Sequence, residues 1–431
     1  MFRPLCHTYF CKPNHQNIKY KLLFACTYGV SHQPSTLVNM ASLLSKYFEM
    51  ENFSIDKSMK EIGVTETKKK ILNLVKSFDI LVIHYGKPAF NESFFKELKK
   101  KNKDLIIVYM DGDAGLNFPY TYFLVGYFDF FVSIDCPRTS DVIAQLGCKT
   151  ICLGNVVSER DFYPIKNIKK TIDVLFYGGL KGNRKDIINY LSDNKINVHC
   201  VGKSFGKLSS KELIRIINKS KICLALNQIG QNPRAIELEE GYIVNTSIKA
   251  RVFEPLLCKT FVLSEHVDGK ERFFLIDKEI STFKGKEELV KKIRFYIKNP
   301  NLREKITNAG YKKVIKYYRG NQQITKMIDA IIKITNEKKG YKEKYKFLEN
   351  NYKLEEPNKV LKFRKSNRRY VNYRAQIVHS LIKKKKYLYA LKDMSFFLKG
   401  FPFLYFKNFF RLFLYNKFSF IINILKNTRK K

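Results

Sequence analysis

Lys249, Arg251 and Glu254 stand at the spacing K-x-R-x-x-E inside residues 247–265, SIKARVFEPLLCKTFVLSE. Two cations and a carboxylate open an apolar segment, and residues 260–263 then turn β-branched and apolar. A helix start carrying these groups ahead of a buried strand suits an anionic, ribose-bearing ligand. Backbone N–H groups at a helix N-terminus favour phosphate. Lys and Arg neutralise it, and a carboxylate accepts hydrogen bonds from sugar hydroxyls. Read alone, so short a pattern also fits a surface helix with solvated charges.

Further chemistry-bearing residues follow apolar runs. Gly178-Gly179-Leu180-Lys181-Gly182-Asn183-Arg184 follows the run 172–177. Its glycines let backbone approach a phosphate, and Lys181 and Arg184 add charge. It is no dinucleotide fingerprint, because G-x-G-x-x-G does not occur there, and an ordinary strand-to-helix turn is the alternative. Asn227 follows the run 222–226, as a cleft residue or a turn residue. His84 ends the run 80–84, and Asp111-Gly112-Asp113 follows 105–110. A histidine there can steady a sugar or act as base, or simply occupy a polar turn. Asp111 and Asp113 fit a base, a partner for acceptor hydroxyls, or helix caps. With Gly115 they sketch a metal loop, but the rest of a calcium pattern is missing.

The elements that must hold these residues alternate. Strands are predicted at 20–28, 80–84, 105–110, 129–134 and 150–153, with helices at 37–47, 92–101 and 137–146. A polar, basic stretch at 164–170 marks a linker. A second set follows, with strands at 172–177, 197–201 and 222–226 and helices at 183–192 and 211–220. Alternation of this kind builds parallel sheets covered on both faces. Such sheets bind ligands beyond the carboxyl ends of their strands, where these candidates stand.

The run Ser247-Ile248-Lys249-Ala250-Arg251-Val252-Phe253-Glu254 resembles the C-terminal signature of GT-B glycosyltransferases, especially the spore-maturation-type group. It continues with Glu287-Glu288-Leu289, Asn299-Pro300, Arg303 and Ala309-Gly310-Tyr311. The looser resemblance covers residues 20–334. It implies an α/β chain of two Rossmann-like doubly wound domains facing across a cleft: an acceptor domain at 20–163 and a nucleotide-sugar domain at 171–337. The loop Gly178 to Arg184 resembles the family loop that borders the nucleotide diphosphate. By resemblance, Gly178, Gly179, Lys181, Arg184, Asn227, Lys249, Arg251 and Glu254 bind the nucleotide-sugar, Glu254 holding the ribose, and His84 or Asp111 acts from the facing domain. The implied substrate is a nucleotide-sugar, with no cofactor and no catalytic metal. One departure stands out. Many retaining members carry two glutamates separated by seven residues, and the position of the first is Thr246 here.

Size and charge add an extension. At 431 residues the chain exceeds one ordinary core. Its net charge is +41, and residues 338–431 carry 26 Lys and Arg against 5 Asp and Glu. Residues 401–425 are dense in Phe, Leu, Tyr and Ile, and Lys407, Arg411 and Lys417 fall within about a third of a helix circumference. This pattern fits an interfacial helix beside a polybasic patch on anionic lipid, and three central cations argue against a membrane span. A nucleic-acid arm is the rival, without a recognisable module. The nine cysteines form no paired framework and read as free thiols in a reducing cytosol. Cys6, His7, Cys11 and His15 lack zinc spacing, and the N-terminus lacks a signal-peptide core. The expected protein is a cytoplasmic glycosyltransferase, peripheral at the inner face of the cell membrane, acting on a lipid-linked glycan or a cell-surface polysaccharide precursor. The alternatives are a catalytically silent GT-B scaffold, which Thr246 favours, and a nucleic-acid-binding protein.

Overall fold

The computed structural model describes residues 20–339, apart from 28–35, 85–89, 115–116, 118–120, 122–123, 146–147, 155, 181–182, 203, 207, 228–246 and 268. Gly115, Lys181, Thr246, the Cys6 to His15 cluster and residues 340–431 therefore lie outside the described residues.

The first domain runs β1 (Lys21–Cys26), α1 (Thr36–Leu44), β2 (Glu49–Ser54), α2 (Ile55–Leu74), β3 (Ile80–His84), α3 (Glu92–Lys101), β4 (Ile106–Asp111), β5 (Phe130–Ser133), α4 (Pro137–Gln145) and β6 (Lys149–Cys152). Its strands form one parallel sheet in the order β2-β1-β3-β4-β5-β6. Apart from the terminal Lys21, His84 and Asp111, strands β1, β3 and β4 are apolar and buried, as strands covered on both faces must be. Helix α3 shows how local sequence fixes an element. Asn91 caps it, its side chain accepting from Phe94 N at 3.3 Å, Phe94, Phe95 and Leu98 are buried, and three lysines face the negative end of the helix dipole.

The second domain runs β7 (Ile172–Tyr177), α5 (Arg184–Asp193), β8 (Val198–Val201), α6 (Ser210–Lys219), β9 (Ser220–Ala225), α7 (Glu254–Leu257), β10 (Phe261–Glu265), β11 (Ser281–Phe283), α8 (Lys286–Lys298) and α9 (Pro300–Tyr317). Its parallel sheet has the order β11-β10-β9-β7-β8. Gly310, in the motif singled out above, lets α9 close on its neighbours: a Cβ there would sit 2.2 Å from Glu279 O and 2.8 Å from Leu256 Cδ2.

The final helix corrects the expected boundary at residue 337. Helix α10 (Gly320–Lys338) buries Ile324, Met327, Ile328, Ile331 and Ile334 in the first domain, in one cluster with Leu22, Phe24, Val82 and Val108. Spacings of three and four put these side chains on one helix face. The Tyr20 hydroxyl donates to Asn336 Oδ1, and Lys338 pairs with Asp129 at 2.9 Å. The stretch 164–170 holds no regular element and lies on the second domain. Ile165 N donates to Asn218 Oδ1 at 2.8 Å, and Lys170 Nζ to Thr260 Oγ1 at 2.7 Å.

Strand β2 and helix α2 were not predicted, for a physical reason. The strand pairs only with β1, reads EMENFS and buries only Phe53, so it carries no apolar alternation. The helix is lysine-rich, buries only Ile55, Thr67 and Ile71, and is interrupted at Gly63 with φ +78°.

Candidate functional site

The order of the second sheet reverses between β7 and β9, and ligands of doubly wound sheets bind at such a switch point. Gly178 follows β7 there, and Leu226 and Asn227 follow β9. The Arg251 guanidinium spans the two ends. Its Nη2 donates to Leu226 O at 3.2 Å, and a Cβ on Gly178 would lie 2.6 Å from its Nη1. Gly178 also takes φ +133°, open in practice only to glycine. Glu254 stands beside this arginine. Its Oε2 accepts from the Tyr177 hydroxyl at 2.7 Å, and Tyr177 is the last residue of β7. Burial raises the Glu254 carboxyl above its ordinary range, against the opposing pull of Tyr177 and Arg251. Burial likewise lowers Arg251, opposed by Tyr177 and Glu254.

One element of the sequence reasoning is corrected here. The helix that Glu254 opens has only four residues and carries Pro255 in its first turn. Proline has no N–H, so this short helix offers fewer backbone donors than the sequence suggested. Two arginines stand beside it. Arg184 is buried at the start of α5, and its Nη1 donates to Gly179 O at 3.0 Å. Burial and then the neighbouring Arg251 hold it down at about 10.

Asn227 is fully buried and organises the next strand ends. Its Nδ2 donates to Ser264 Oγ at 2.7 Å and to Glu265 O at 2.8 Å, and its backbone N donates to Glu265 Oε2 at 2.8 Å. Asn227 Oδ1 is buried without a partner. Lys270, also fully buried, donates from Nζ to Ser264 Oγ and Glu265 O, each at 2.5 Å. Burial lowers its ammonium to about 7, although Glu265 and Glu271 pull it up.

The first sheet reverses between β1 and β3, and His84 ends β3 there. Its Nδ1 lies 3.3 Å from Thr27 Oγ1, beyond the end of β1. Burial depresses the imidazole to about 4, against the pull of Asp113, so the ring is neutral at pH 7. Asp111 ends β4 and is buried. Its Oδ1 accepts from Asp113 N at 2.9 Å and Asn117 Nδ2 at 2.8 Å, while Oδ2 is buried without a partner. Burial pushes this carboxyl up to about 7 in spite of those two donors. Asp111 thus caps its own turn, one of the readings its position allowed.

Lys249 differs from expectation. Its Nζ reaches into the first domain, 2.5 Å from Asp113 Oδ1 and 2.6 Å from Asp135 Oδ2. Burial alone would lower its pKa, but Asp135 and Asp113 outweigh that and hold it raised. The backbone repeats the contact, Ile248 N donating to Asp135 O at 2.7 Å. Two carboxylates already match this charge, so Lys249 ties the domains together. Asp135, pushed up to about 6 by burial despite Lys249, completes the tie. A second pair joins the domains at Arg272 Nη2 and Asp141 Oδ2, 2.5 Å apart.

Sequence reasoning missed Tyr177, Asp135, Glu265 and Lys270. The first three end or closely follow strands, a signal that was present and unused. For Lys270 no sequence signal existed, because its burial arises from the chain folding back after β10.

Residues 184–329 match the family model described as glycosyl transferase-like, a stretch that contains Arg184, Asn227, Arg251 and Glu254. Most of the second domain falls within that glycosyl transferase-like match. The chain is similar in structure to sucrose-phosphate synthase from Thermosynechococcus elongatus, with a TM-score of 0.53 at 9% identity, over 73% of this chain and 99% of that one. That likeness gives the described residues the GT-B fold. A glycosyltransferase from Rickettsia africae covers 73% of this chain and 98% of its own at 13% identity, with a TM-score of 0.49. HepE from Anabaena, in complex with UDP-glucose, covers 72% and 100% at 11% identity, also with a TM-score of 0.49. No curated protein matches the chain.

Proposed function

We propose that this glycosyltransferase moves a sugar from a nucleotide-sugar to an acceptor hydroxyl. The observation that carries the reading is the Arg251 guanidinium at the switch point of the second sheet, between Gly178 and Leu226, with Glu254 and Tyr177 beside it. A nucleoside diphosphate fits there, its ribose hydroxyls on Glu254 and its phosphates on Arg251 and Arg184. The acceptor oxygen bonds to the anomeric carbon as the bond from that carbon to the diphosphate oxygen breaks. The leaving group gains negative charge, and prepositioned guanidinium groups stabilise it. In this reading the arginines supply the charge that a metal supplies elsewhere. The acceptor proton passes to His84, neutral at pH 7 and held against Thr27. Asp111 is committed to its own turn and shapes the loop that carries Asp113.

The acceptor in this reading is a lipid-linked glycan or a cell-surface polysaccharide precursor, met at the inner face of the cell membrane. The support is the sequence of the extension, 26 cations against 5 carboxylates at 338–431, interleaved with aromatics. Among the described residues no helix is long and apolar enough to cross a membrane.

The test is calorimetry with nucleoside diphosphates on the wild type, Arg251→Ala and Glu254→Ala, beside hydrolysis of a nucleotide-sugar panel with and without EDTA. Loss of a charge-assisted hydrogen bond costs about 1.5–3 kcal/mol of binding. Turnover should survive the chelator. Unchanged affinity in both variants moves the site elsewhere. Intact binding without turnover of any donor favours the silent scaffold.

A further inference from the structure

The opposite end of the second sheet, at the starts of β9 and β10, carries a cavity that the transfer reaction does not use. It has a volume of about 210 Å³ and is lined by Lys170, Lys221, Lys259 and Arg303, with Thr307 and Asn308 between them. Lys221 lies at the start of β9 and Phe261 begins β10, so the cavity faces away from Gly178 and Asn227. Arg303, Thr307 and Asn308 come from the first turns of α9.

The four cations outnumber the carboxylates near them, Asp173 and Glu304. Lys221 pairs with Asp173 at 2.6 Å. The other three make no ion pair among the described residues. Lys170 Nζ donates to Thr260 Oγ1 at 2.7 Å and Lys259 O at 3.4 Å. Lys259 Nζ lies 4.7 Å from the centre of the Tyr311 ring, and Arg303 Nη1 donates to Tyr296 O at 2.5 Å. One carboxylate, Glu304, also lines the cavity. Like charges brought together at a half-buried cavity repel, and a multiply charged anion relieves that repulsion with short charge-assisted hydrogen bonds. Asn308 adds an uncharged donor for a remaining oxygen, while the Thr307 hydroxyl already donates to Arg303 O at 2.8 Å and fixes that turn.

We propose that this cavity is an anion site that takes the phosphate of a phosphorylated small molecule or of a lipid headgroup. Lys259 is exposed and Lys170 half-buried, so the ligand enters from solvent and ends against Arg303. The site is separate from the cleft and does not depend on the donor reading.

The test uses the full chain at physiological salt, with pyrophosphate as probe and thermal unfolding as readout. The double variant Lys170→Gln/Lys259→Gln should lose protection by pyrophosphate, its affinity falling at least about tenfold for each lysine. The comparison is repeated in the Arg251→Ala background, which removes the other proposed diphosphate site; the protection that remains there should be lost with the two lysines. Glu304→Gln removes the one lining carboxylate and should bind pyrophosphate more tightly. A second arm sediments the same proteins with vesicles of phosphatidylcholine with and without phosphatidate. Phosphatidate-dependent retention that the double variant loses assigns a headgroup. Lost pyrophosphate protection with unchanged retention assigns a soluble phosphate. Protection and retention both unchanged in the double variant, or weaker binding in Glu304→Gln, would overturn the proposal.

Discussion

Gly178→Ala is the sharpest probe of the switch-point geometry, because the structure predicts two separate costs. The first is backbone strain. Gly178 sits at φ +133°, and holding an alanine there costs about 1–3 kcal/mol. The second is steric. The added Cβ would lie 2.6 Å from Arg251 Nη1, inside contact distance, and the guanidinium must move. Moving it breaks the 3.2 Å bond to Leu226 O and carries the charge away from the proposed phosphate position. Loss of that charge-assisted contact weakens nucleoside diphosphate binding by a further 1.5–3 kcal/mol, or about tenfold to 150-fold. Gly179→Ala is the internal control, since nothing lies within 4 Å of its Cβ and its φ is unremarkable. Urea unfolding measures the first cost and calorimetry the second. The reasoning fails if Gly179→Ala destabilises as much as Gly178→Ala, or if Gly178→Ala binds nucleoside diphosphate like the wild type.

Lys249→Ala should destabilise the chain by about 3–5 kcal/mol, because it strands Asp135, whose side chain is only 5% exposed, without its partner; a urea midpoint like the wild type refutes this. Asp111 gives a pH signature. Its folded pKa of about 7 lies above the ordinary carboxylate value, so its contribution is full below about pH 4 and is lost as pH rises through 7. Asp111→Asn should therefore flatten the fall in stability between about pH 4 and 7 by a few kcal/mol at most, and parallel profiles would contradict it. Removing residues 340–431 should release the enzyme from anionic vesicles and leave nucleoside diphosphate binding unchanged. The cut belongs after Lys339, because Lys338 and Lys339 pair with Asp129 and Asp79 of the first domain.

Much of the fold was legible because buried parallel strands are written as continuous apolar runs. The runs at 80–84 and 172–177 and the helix at 92–101 match the observed bounds. Edge strand β2 was not legible, since one partner and one solvated face leave no apolar signal. The site split along the same line. Arg251 and Glu254 sit together because they are three positions apart, about one helical turn, a local relation that a sequence displays. Tyr177 bonds Glu254 across 77 positions, and Lys249 reaches Asp113 across 136. The first pairing depends on how the second domain folds, the other on how the two sheets meet. The Lys249 charge looked free for phosphate because its partners belong to the other domain.

The return of α10 to the first sheet governs how the polypeptide must be made. Residues 20–152 supply every strand of that sheet, yet their apolar floor stays uncovered until Ile324 to Ile334 arrive. A ribosome adding about 5–20 residues per second therefore completes the second domain while the first still lacks its closing helix. Over that interval the nascent chain lacks the α10 cover on Leu22, Phe24, Val82 and Val108. Expressed alone, a fragment ending near residue 163 should aggregate, and adding residues 320–338 as a separate peptide should rescue its solubility.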